Sequence, residues 1–139
     1  MNPLYTLQKR ALRIIHSLPS SSSVSEIFPT DGILTLSQLA YYKLAVLFHG
    51  VINNSRDICD IRIVSVDRGI TWRAASKGML SLVKVKTNYG KQRFEYIGCK
   101  IWNDLEASVK MAKSLPVFKT KLKTYVICSD SNIYQLLSR

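Results

Sequence analysis

The chain contains few of the residues from which disulfide frameworks, metal sites and phosphate loops are built. In 139 residues it has three cysteines and two histidines, and its six glycines are scattered singly. The cysteines, Cys59, Cys99 and Cys128, are too few and too widely spaced for a disulfide framework, which fits a reducing compartment and small buried side chains. The isolated glycines exclude a glycine-rich phosphate-binding loop.

Long apolar runs are also missing. No stretch approaches the roughly 18 uninterrupted apolar residues of a membrane-spanning helix. The N-terminal sequence MNPLYTLQKRALRII lacks the apolar run and the small-residue cleavage site of a secretory signal. These absences predict a soluble, intracellular protein of the nucleus or cytoplasm, with no membrane among its partners.

Acidic residues are scarce. Twenty Lys and Arg against nine Asp and Glu give a net charge of +11 and a pI near 9.8. Residues 72–123 hold twelve of the basic residues and three acidic ones, a local charge of +9. Such a charge attracts polyanions, so nucleic acid is the first partner to test. The alternative is that the charge only keeps the protein soluble.

The remaining composition is that of a folded domain, with 47% hydrophobic and 21% charged residues. We expect residues 1–128 to form one domain and the polar tail, residues 129–139, to fray. At helical spacing, Leu4, Leu7, Ala11, Ile14, Ile15 and Leu18 predict a first helix from about residue 3 to about residue 18, opened by Asn2 and Pro3. A short helical turn over 25–28 should be closed by Pro29 and the pair Asp31-Gly32.

A central helix is predicted over LSQLAYYKLAVLFHGVI, residues 36–52. Thr35 and Gln38 form a capping box at its start, and its apolar residues lie almost all round it. Such a helix is either buried at the centre of a small bundle or covers a partner. Residues 55–80 lack clear periodicity, and MLSLVKVKT, residues 79–87, alternates as a short strand before the turn Asn88-Tyr89-Gly90.

The segment YGKQRFEYIGCKIWNDL, residues 89–105, combines aromatic and basic side chains. Its periodicity predicts an amphipathic helix with Phe94 and Trp102 in the core and Tyr96 outside, where it is the one exposed aromatic able to stack on a base. A last helix, LPVFKTKLKTYVI, follows Ser114 with an apolar stripe surrounded by lysines. The fold class that follows is mainly α, a small helical bundle with a short strand or hairpin element.

Residues for catalysis or metal binding are not arranged in any recognised motif. A site made of His16, His49 and a cysteine is conceivable, but ordinary core or surface histidines are the preferred interpretation. Three aspartates, Asp57, Asp60 and Asp67, could hold Mg²⁺, yet they alternate with arginines, which favours a solvated loop with ion pairs. We therefore predict no catalytic residues, no metal and no cofactor.

The basic faces are the candidate functional site. Together they could hold a phosphate backbone with little sequence preference and strong sensitivity to salt. The predicted nucleic-acid-binding residues are Lys9, Arg10, Arg13, Lys84, Lys86, Lys91, Arg93, Tyr96, Lys100, Lys119, Lys121 and Lys123.

Several segments in order resemble a known family. They are LQKRALRII, IFPTDGILTLSQL, TWRA, KTNYGKQRFEYIGCKIWNDL and SLPVFKTKLKTYV. This succession resembles the C-terminal end of the reverse transcriptase polyprotein of jockey-like non-LTR (LINE-type) retrotransposons, whose pattern includes a WN-x-LP segment and a closing SL-x-x-FK-x-x-LK. The resemblance covers residues 4 to about 127. One departure is Glu106, where the family commonly has Pro, and this difference would let the helix continue rather than stop.

The resemblance implies a limited function. The family's RNA-directed DNA polymerase uses an aspartate pair in a Y-x-D-D motif with Mg²⁺, and this sequence contains no adjacent aspartates. What remains resembles the region beyond the thumb, which would help to hold template RNA or target DNA. We therefore expect a non-catalytic fragment that binds RNA or DNA, with docking on the polymerase domains of the parent protein as the alternative.

Overall fold

A computed structural model describes residues 3–53, 79, 80, 82, 84–112 and 114–128. In this part of the chain 67% of the residues are helical and no strand is present, so the protein is mainly α, a small helical bundle. The helices are α1 (Pro3–Ile15), α2 (Ile27–Thr30), α3 (Leu36–Ile52), α4 (Phe94–Asp104), α5 (Ala107–Lys110) and α6 (Leu115–Cys128). A 3₁₀ turn, Gly90–Gln92, precedes α4.

Helix α3 lies at the centre of the bundle and packs against α1, α4 and α6. The predicted capping box is present, because the Thr35 Oγ1 atom accepts from the Gln38 amide and the Gln38 Oε1 atom accepts from the Thr35 amide. Tyr41, Ala45 and Phe48 are buried. Of the two positions that the sequence left open for this helix, the structure shows the one inside the bundle.

Aromatic side chains join α3 to α4 and α6 in the main core. The Phe48 ring meets Phe94 edge-on at 5.8 Å between centroids and lies 6.4 Å from Trp102. The buried imidazole of His49 stacks on Phe118 at 4.0 Å. Trp102 and Phe118 are themselves 6.3 Å apart. The predicted core role of Trp102 is confirmed, and Phe94 is half-buried against the same cluster.

Gly98 allows α4 to approach α3 closely. A Cβ atom at this position would overlap the aromatic ring of Phe48, which is fully buried. The Phe48 ring therefore occupies the space that a side chain at position 98 would fill. The close spacing of α3 and α4 is possible because Gly98 has no Cβ atom.

A second, smaller apolar cluster lies around α1 and α2. Its buried members are Leu12, Val24 and Phe28, and Tyr5 stacks on Phe28 at 6.2 Å. Polar bonds attach α1 to the start of α3, since Gln8 donates to the Leu34 carbonyl and accepts from the Leu36 amide. The second cluster therefore forms on the face of α1 that carries Tyr5 and Leu12.

The predicted apolar face of α1 is in the wrong place. Leu4, Leu7, Ile14 and Ile15 are 57–79% exposed, although their spacing predicted a buried stripe. The helix instead buries Leu12 and half-buries Tyr5 and Gln8, which lie on the adjacent side. The physical reason is that α1 carries apolar residues on two sides, and its bonds to the α3 start select the side that faces the bundle.

Helix α1 also ends a turn earlier than predicted. Ser17 has a positive φ of 52°, and the amides of Ser17 and Leu18 bond back to the carbonyls of Ile14 and Arg13. This pattern is a Schellman closure, which stops the helix at Ile15 instead of residue 18. Helix α2 closes in the same way with Gly32 at φ 63°, confirming the predicted turn.

The short second helix is displaced from its predicted position. It spans Ile27–Thr30 rather than residues 25–28, and Pro29 lies inside it instead of closing it. A proline is compatible with the first turn of a helix because the amides there have no intrahelical acceptor.

The predicted strand over residues 79–87 is not found in the described residues of that range. A strand needs a neighbour to bond its backbone. Here the Asn103 side chain takes that place, donating to the Leu80 carbonyl at 2.8 Å and accepting from the Leu80 amide at 2.7 Å. Most of residues 55–80 and the predicted tail from 129 lie outside the described residues.

The expectation that Glu106 lets the helix continue is wrong. Helix α4 ends at Asp104, and Leu105 and Glu106 are both extended, with φ of −63° at each. The single-turn helix α5 then begins at Ala107 and was not predicted. Leu105 and Val109 are both buried in the main core, one on each side of the Glu106 amide. At the end of α4 the Lys110 ammonium donates to the Asn103 carbonyl at 3.3 Å, which satisfies an acceptor that the helix leaves open.

Candidate nucleic-acid interface

The predicted binding residues occupy four places in the structure. They lie on α1, on residues 84–93, on α4 and on α6. All except Tyr96 are basic, and the carboxylates near them are few: the described residues contain five Asp or Glu in total. Among the described residues one ion pair joins a Lys or Arg to a carboxylate, Arg93 to Glu95 at 3.2 Å.

On α1, two of the three cations already have partners inside the protein. The Lys9 ammonium lies 4.4 Å from the centroid of the Tyr5 ring, a cation–π contact. The Arg13 Nε atom donates to the Ser22 carbonyl at 3.0 Å. Arg10 is exposed. The first helix therefore offers one fully available cation and a second, Arg13, whose remaining donors can still reach a phosphate.

The three lysines of α6 do not form one surface. Lys119 and Lys123 are one turn apart on the same flank of the helix, and both are exposed. Lys121 lies on the opposite flank, where its ammonium donates to the Ser108 carbonyl of α5 at 3.0 Å. The stripe of Phe118, Leu122 and Val126 between the two flanks is buried, which confirms the predicted apolar face of this helix.

The densest group of cations lies on residues 84–93. Lys84, Lys86, Lys91 and Arg93 are all exposed, and Lys91 also donates to the Asn88 side chain at 3.2 Å. Farther along, Lys100 is half-buried on α4. These residues follow one another in the chain, whereas the cations of α1 and α6 belong to other elements.

The aromatic residue predicted to stack on a base needs a correction. Tyr96 is half-buried on α4, so it is not the exposed aromatic that its position outside the stripe suggested. Tyr89 is 82% exposed instead, the highest exposure of any aromatic among the described residues. The sequence held the signal for it, because Tyr89 is the middle residue of a predicted turn, and turns lie on the surface.

The two histidines lie in different environments. His16 is near the surface and bonds Asp31 at 2.7 Å. His49 is buried, and burial lowers the pKa of its imidazole. Among the described residues no three His, Cys, Asp or Glu side chains lie together as metal ligands would. The aspartates Asp57, Asp60 and Asp67 lie outside the described part.

Other titratable groups in the core are held in their neutral forms. Burial and the neighbouring Asp104 raise the pKa of Tyr41 far above its usual range, and the Tyr41 hydroxyl bonds the Asp104 carboxylate at 3.4 Å. Burial raises the pKa of the Cys99 thiol. Cys99 is thus a small buried side chain, as predicted, whereas Cys128 is exposed. A buried neutral phenol and thiol fit a packing role.

Comparison of the chain with protein-family models, curated proteins and solved structures found no match. Within the described ranges, no helix combines the length and the apolar character that crossing a bilayer requires. The candidate interface therefore rests on the residues themselves.

Proposed function

We propose that this chain is a non-catalytic, basic, helical domain related to the C-terminal region of a LINE-type retrotransposon reverse transcriptase, and that it binds RNA or DNA backbones without sequence preference. The observation that carries the proposal is the excess of exposed cations over carboxylates. Lys84, Lys86, Lys119 and Lys123 are exposed and have no carboxylate partner within the described residues.

The arrangement of these cations supports backbone contact rather than base reading. Lys84 and Lys86 lie in the stretch before α4, Lys119 and Lys123 lie on α6, and no base-reading sequence motif accompanies either pair. Lysines on flexible stems act as point charges that suit phosphate oxygens. Binding should therefore follow counterion release and weaken steeply with salt.

Fluorescence anisotropy titrations with single-stranded RNA and duplex DNA at two salt concentrations test the proposal. We expect log Kd to rise linearly with log salt concentration on both ligands. Replacing Lys119 and Lys123 by Ala should make that slope shallower by about 1 to 2, because each lost phosphate contact releases about one counterion fewer. The matched control is Lys43→Ala, which removes an exposed lysine on α3 outside the candidate interface. Absence of salt-sensitive binding would overturn the proposal.

The absence of catalysis is part of the same proposal. A screen for divalent-metal-dependent polymerase or nuclease activity should find none. Activity that Asp57→Asn or Asp60→Asn abolishes would contradict it. The proposed parentage has its own test in the genomic sequence upstream of the codon for Met1, where an in-frame Y-x-D-D motif would support it.

A second candidate function is a protein-interaction module that docks on the polymerase domains of a parent protein. It is supported by α1, where Leu4, Leu7, Ile14 and Ile15 are exposed on one side. Arg10 and Arg13 border this side and line a surface cavity of about 520 Å³ with Ile14. The partner that fits is an amphipathic segment with carboxylates along one edge, which would cover the apolar residues and pair with the arginines.

The interaction candidate predicts that the isolated chain binds ANS or self-associates. Ile14→Gln combined with Ile15→Gln should remove both properties without loss of helicity, because the two side chains are 71–79% exposed. A chain that is monomeric by sedimentation and does not bind ANS would exclude this candidate.

A further inference from the structure

The loop before α4 combines the exposed aromatic residue with the densest group of cations. Lys84, Lys86, Lys91 and Arg93 flank Tyr89 within ten consecutive residues, KVKTNYGKQR, which we call the tyrosine loop. No acidic residue lies in this segment, and Glu95, the next acidic residue along the chain, pairs with Arg93.

The tyrosine loop is folded back on itself rather than extended. A Cβ on Gly90 would lie 3.1 Å from the Val85 Cβ atom, so the two ends of the stretch 85–90 are in contact. The Gly90 amide donates to Thr87 Oγ1 at 3.0 Å, and the Lys91 amide donates to the Thr87 carbonyl at 3.3 Å. Tyr89 therefore projects from a small closed turn.

The position of Tyr89 has no explanation in packing. Its side chain is 82% exposed, whereas every other described aromatic residue is buried or half-buried. An aromatic ring held in water on a closed turn loses little side-chain entropy when it stacks on a flat ligand, because Tyr has only two side-chain torsions. The lysines on both sides attract anions to the same place.

We propose that the tyrosine loop binds single-stranded nucleic acid, with Tyr89 stacking on an unpaired base and Lys84, Lys86 and Lys91 contacting the flanking phosphates. This inference rests on the proposed nucleic-acid binding and names its form. A duplex keeps its bases stacked on one another, so it offers the lysines phosphates but offers Tyr89 no free base face. The tyrosine loop therefore binds a single strand more tightly than a duplex, because only the single strand offers a base that Tyr89 can stack on.

The test compares Tyr89→Ala with Tyr89→Phe on a single-stranded oligonucleotide of about 12 residues and on its duplex. The Ala variant should bind the single strand roughly tenfold more weakly and the duplex equally well, since one base stack is lost. The Phe variant should bind both like the parent protein. A 2-aminopurine in the single strand should be quenched by the parent protein and by the Phe variant but not by the Ala variant.

Charge and folding are controlled separately. Lys84→Ala combined with Lys86→Ala should lower the affinity for both the single strand and the duplex, and should make the affinity less dependent on salt. Lys43→Ala should change neither the affinity nor its salt dependence. Circular dichroism of each variant checks that the helices are intact.

Two outcomes overturn the inference, and they are distinguishable. In the first outcome, the parent protein binds in a salt-sensitive way while Tyr89→Ala lowers the affinity for the single strand and for the duplex equally, or lowers neither. In that case the stacking role fails and backbone binding stands. If neither the single strand nor the duplex binds, or if polyglutamate at an equal concentration of charge displaces the oligonucleotide, the proposed nucleic-acid binding itself fails.

Discussion

At the scale of single residues, Gly98 determines how α3 and α4 meet. Replacing it by Ala adds a Cβ that overlaps the buried Phe48 ring. Helix propensity favours Ala by about 1 kcal/mol, but displacing a fully buried ring costs about 1–3 kcal/mol. We expect Gly98→Ala to lower the free energy of unfolding, measured by urea denaturation.

A double-mutant cycle attributes that loss to the ring. In a Phe48→Leu background, where the ring is absent, Gly98→Ala should cost markedly less. An equal cost in both backgrounds would show that Phe48 is not the obstacle.

His49 should make the stability of the protein depend on pH. Burial lowers the pKa of its imidazole below the ordinary value of 6.5, so the unfolded chain binds a proton where the folded protein does not. Above about pH 6.5 both states are neutral and the residue adds no pH dependence. Below it, the free energy of unfolding should fall by up to about 1.4 kcal/mol per pH unit.

Urea denaturation between about pH 7.5 and 5.5 measures this effect. Both the parent and His49→Phe are compared in a His16→Gln background, which removes the surface pair of His16 with Asp31. The Phe variant should lose most of the pH dependence in this range. An unchanged acid sensitivity would mean that another group is responsible.

At the scale of elements, the break between α4 and α5 has the geometry of a proline site. Glu106 has φ −63° and ψ 147°, Leu105 before it is extended, and no described acceptor takes the Glu106 amide. A proline requires this φ, an extended preceding residue and a free amide position. The backbone at Leu105 and Glu106 therefore has the conformation that a Leu-Pro sequence would adopt.

Glu106→Pro should accordingly stabilise the protein. The substitution restricts the unfolded chain and costs nothing in the folded one, a gain of about 0.4–1 kcal/mol in thermal or urea denaturation. The control is Met111→Pro, at an exposed position whose amide donates to the Ala107 carbonyl at 3.0 Å, and this variant should lose stability because proline removes that bond. A loss of stability with Glu106→Pro would show that its amide has a structural role.

The predicted elements succeeded where local chemistry is decisive. The capping box at Thr35 and Gln38 fixed the start of α3, and the spacing of Phe118, Leu122 and Val126 fixed the buried side of α6. Prediction failed for α1, whose periodic stripe points to solvent. Periodicity shows that a helix has an apolar side, but long-range bonds such as those of Gln8 decide which side faces the core.

At the scale of the whole molecule, the charge should oppose folding. The net charge is +11, and few described cations have a carboxylate partner. Their mutual repulsion is screened as ionic strength rises. The urea midpoint should therefore increase between about 20 and about 200 mM NaCl, where the Debye length shortens from about 20 to 7 Å.

A reversal control distinguishes repulsion from general salt effects. Lys84→Glu combined with Lys86→Glu lowers the net charge by four and should reduce the dependence on NaCl. A midpoint that does not change with salt in the parent protein would show that the cations are too far apart to repel appreciably.

The candidate site was predictable in composition but not in arrangement. Counting lysines from the sequence located the positive charge, yet it could not show that Lys121 bonds the Ser108 carbonyl or that Lys9 lies over Tyr5. The first contact joins two helices, so no local pattern shows it, whereas Lys9 and Tyr5 are an i, i+4 pair within α1 whose spacing the sequence does show. The exposure of Tyr89 did have a sequence signal, its position in the turn Asn88-Tyr89-Gly90, whereas the contact of Gly90 with Val85 that closes the loop did not.

The bonds between Asn103 and Leu80 have a consequence for how this chain tolerates substitution. Asn103 binds the backbone of residue 80, donating and accepting at once. Asp lacks the donor and Ser is too short to reach both groups, so position 103 accepts few replacements. Position 80 is only required to fill the space of Leu80 against the core. Over many generations the two partners of one contact would therefore drift at different rates, and the asparagine beside Trp102 would be the slower.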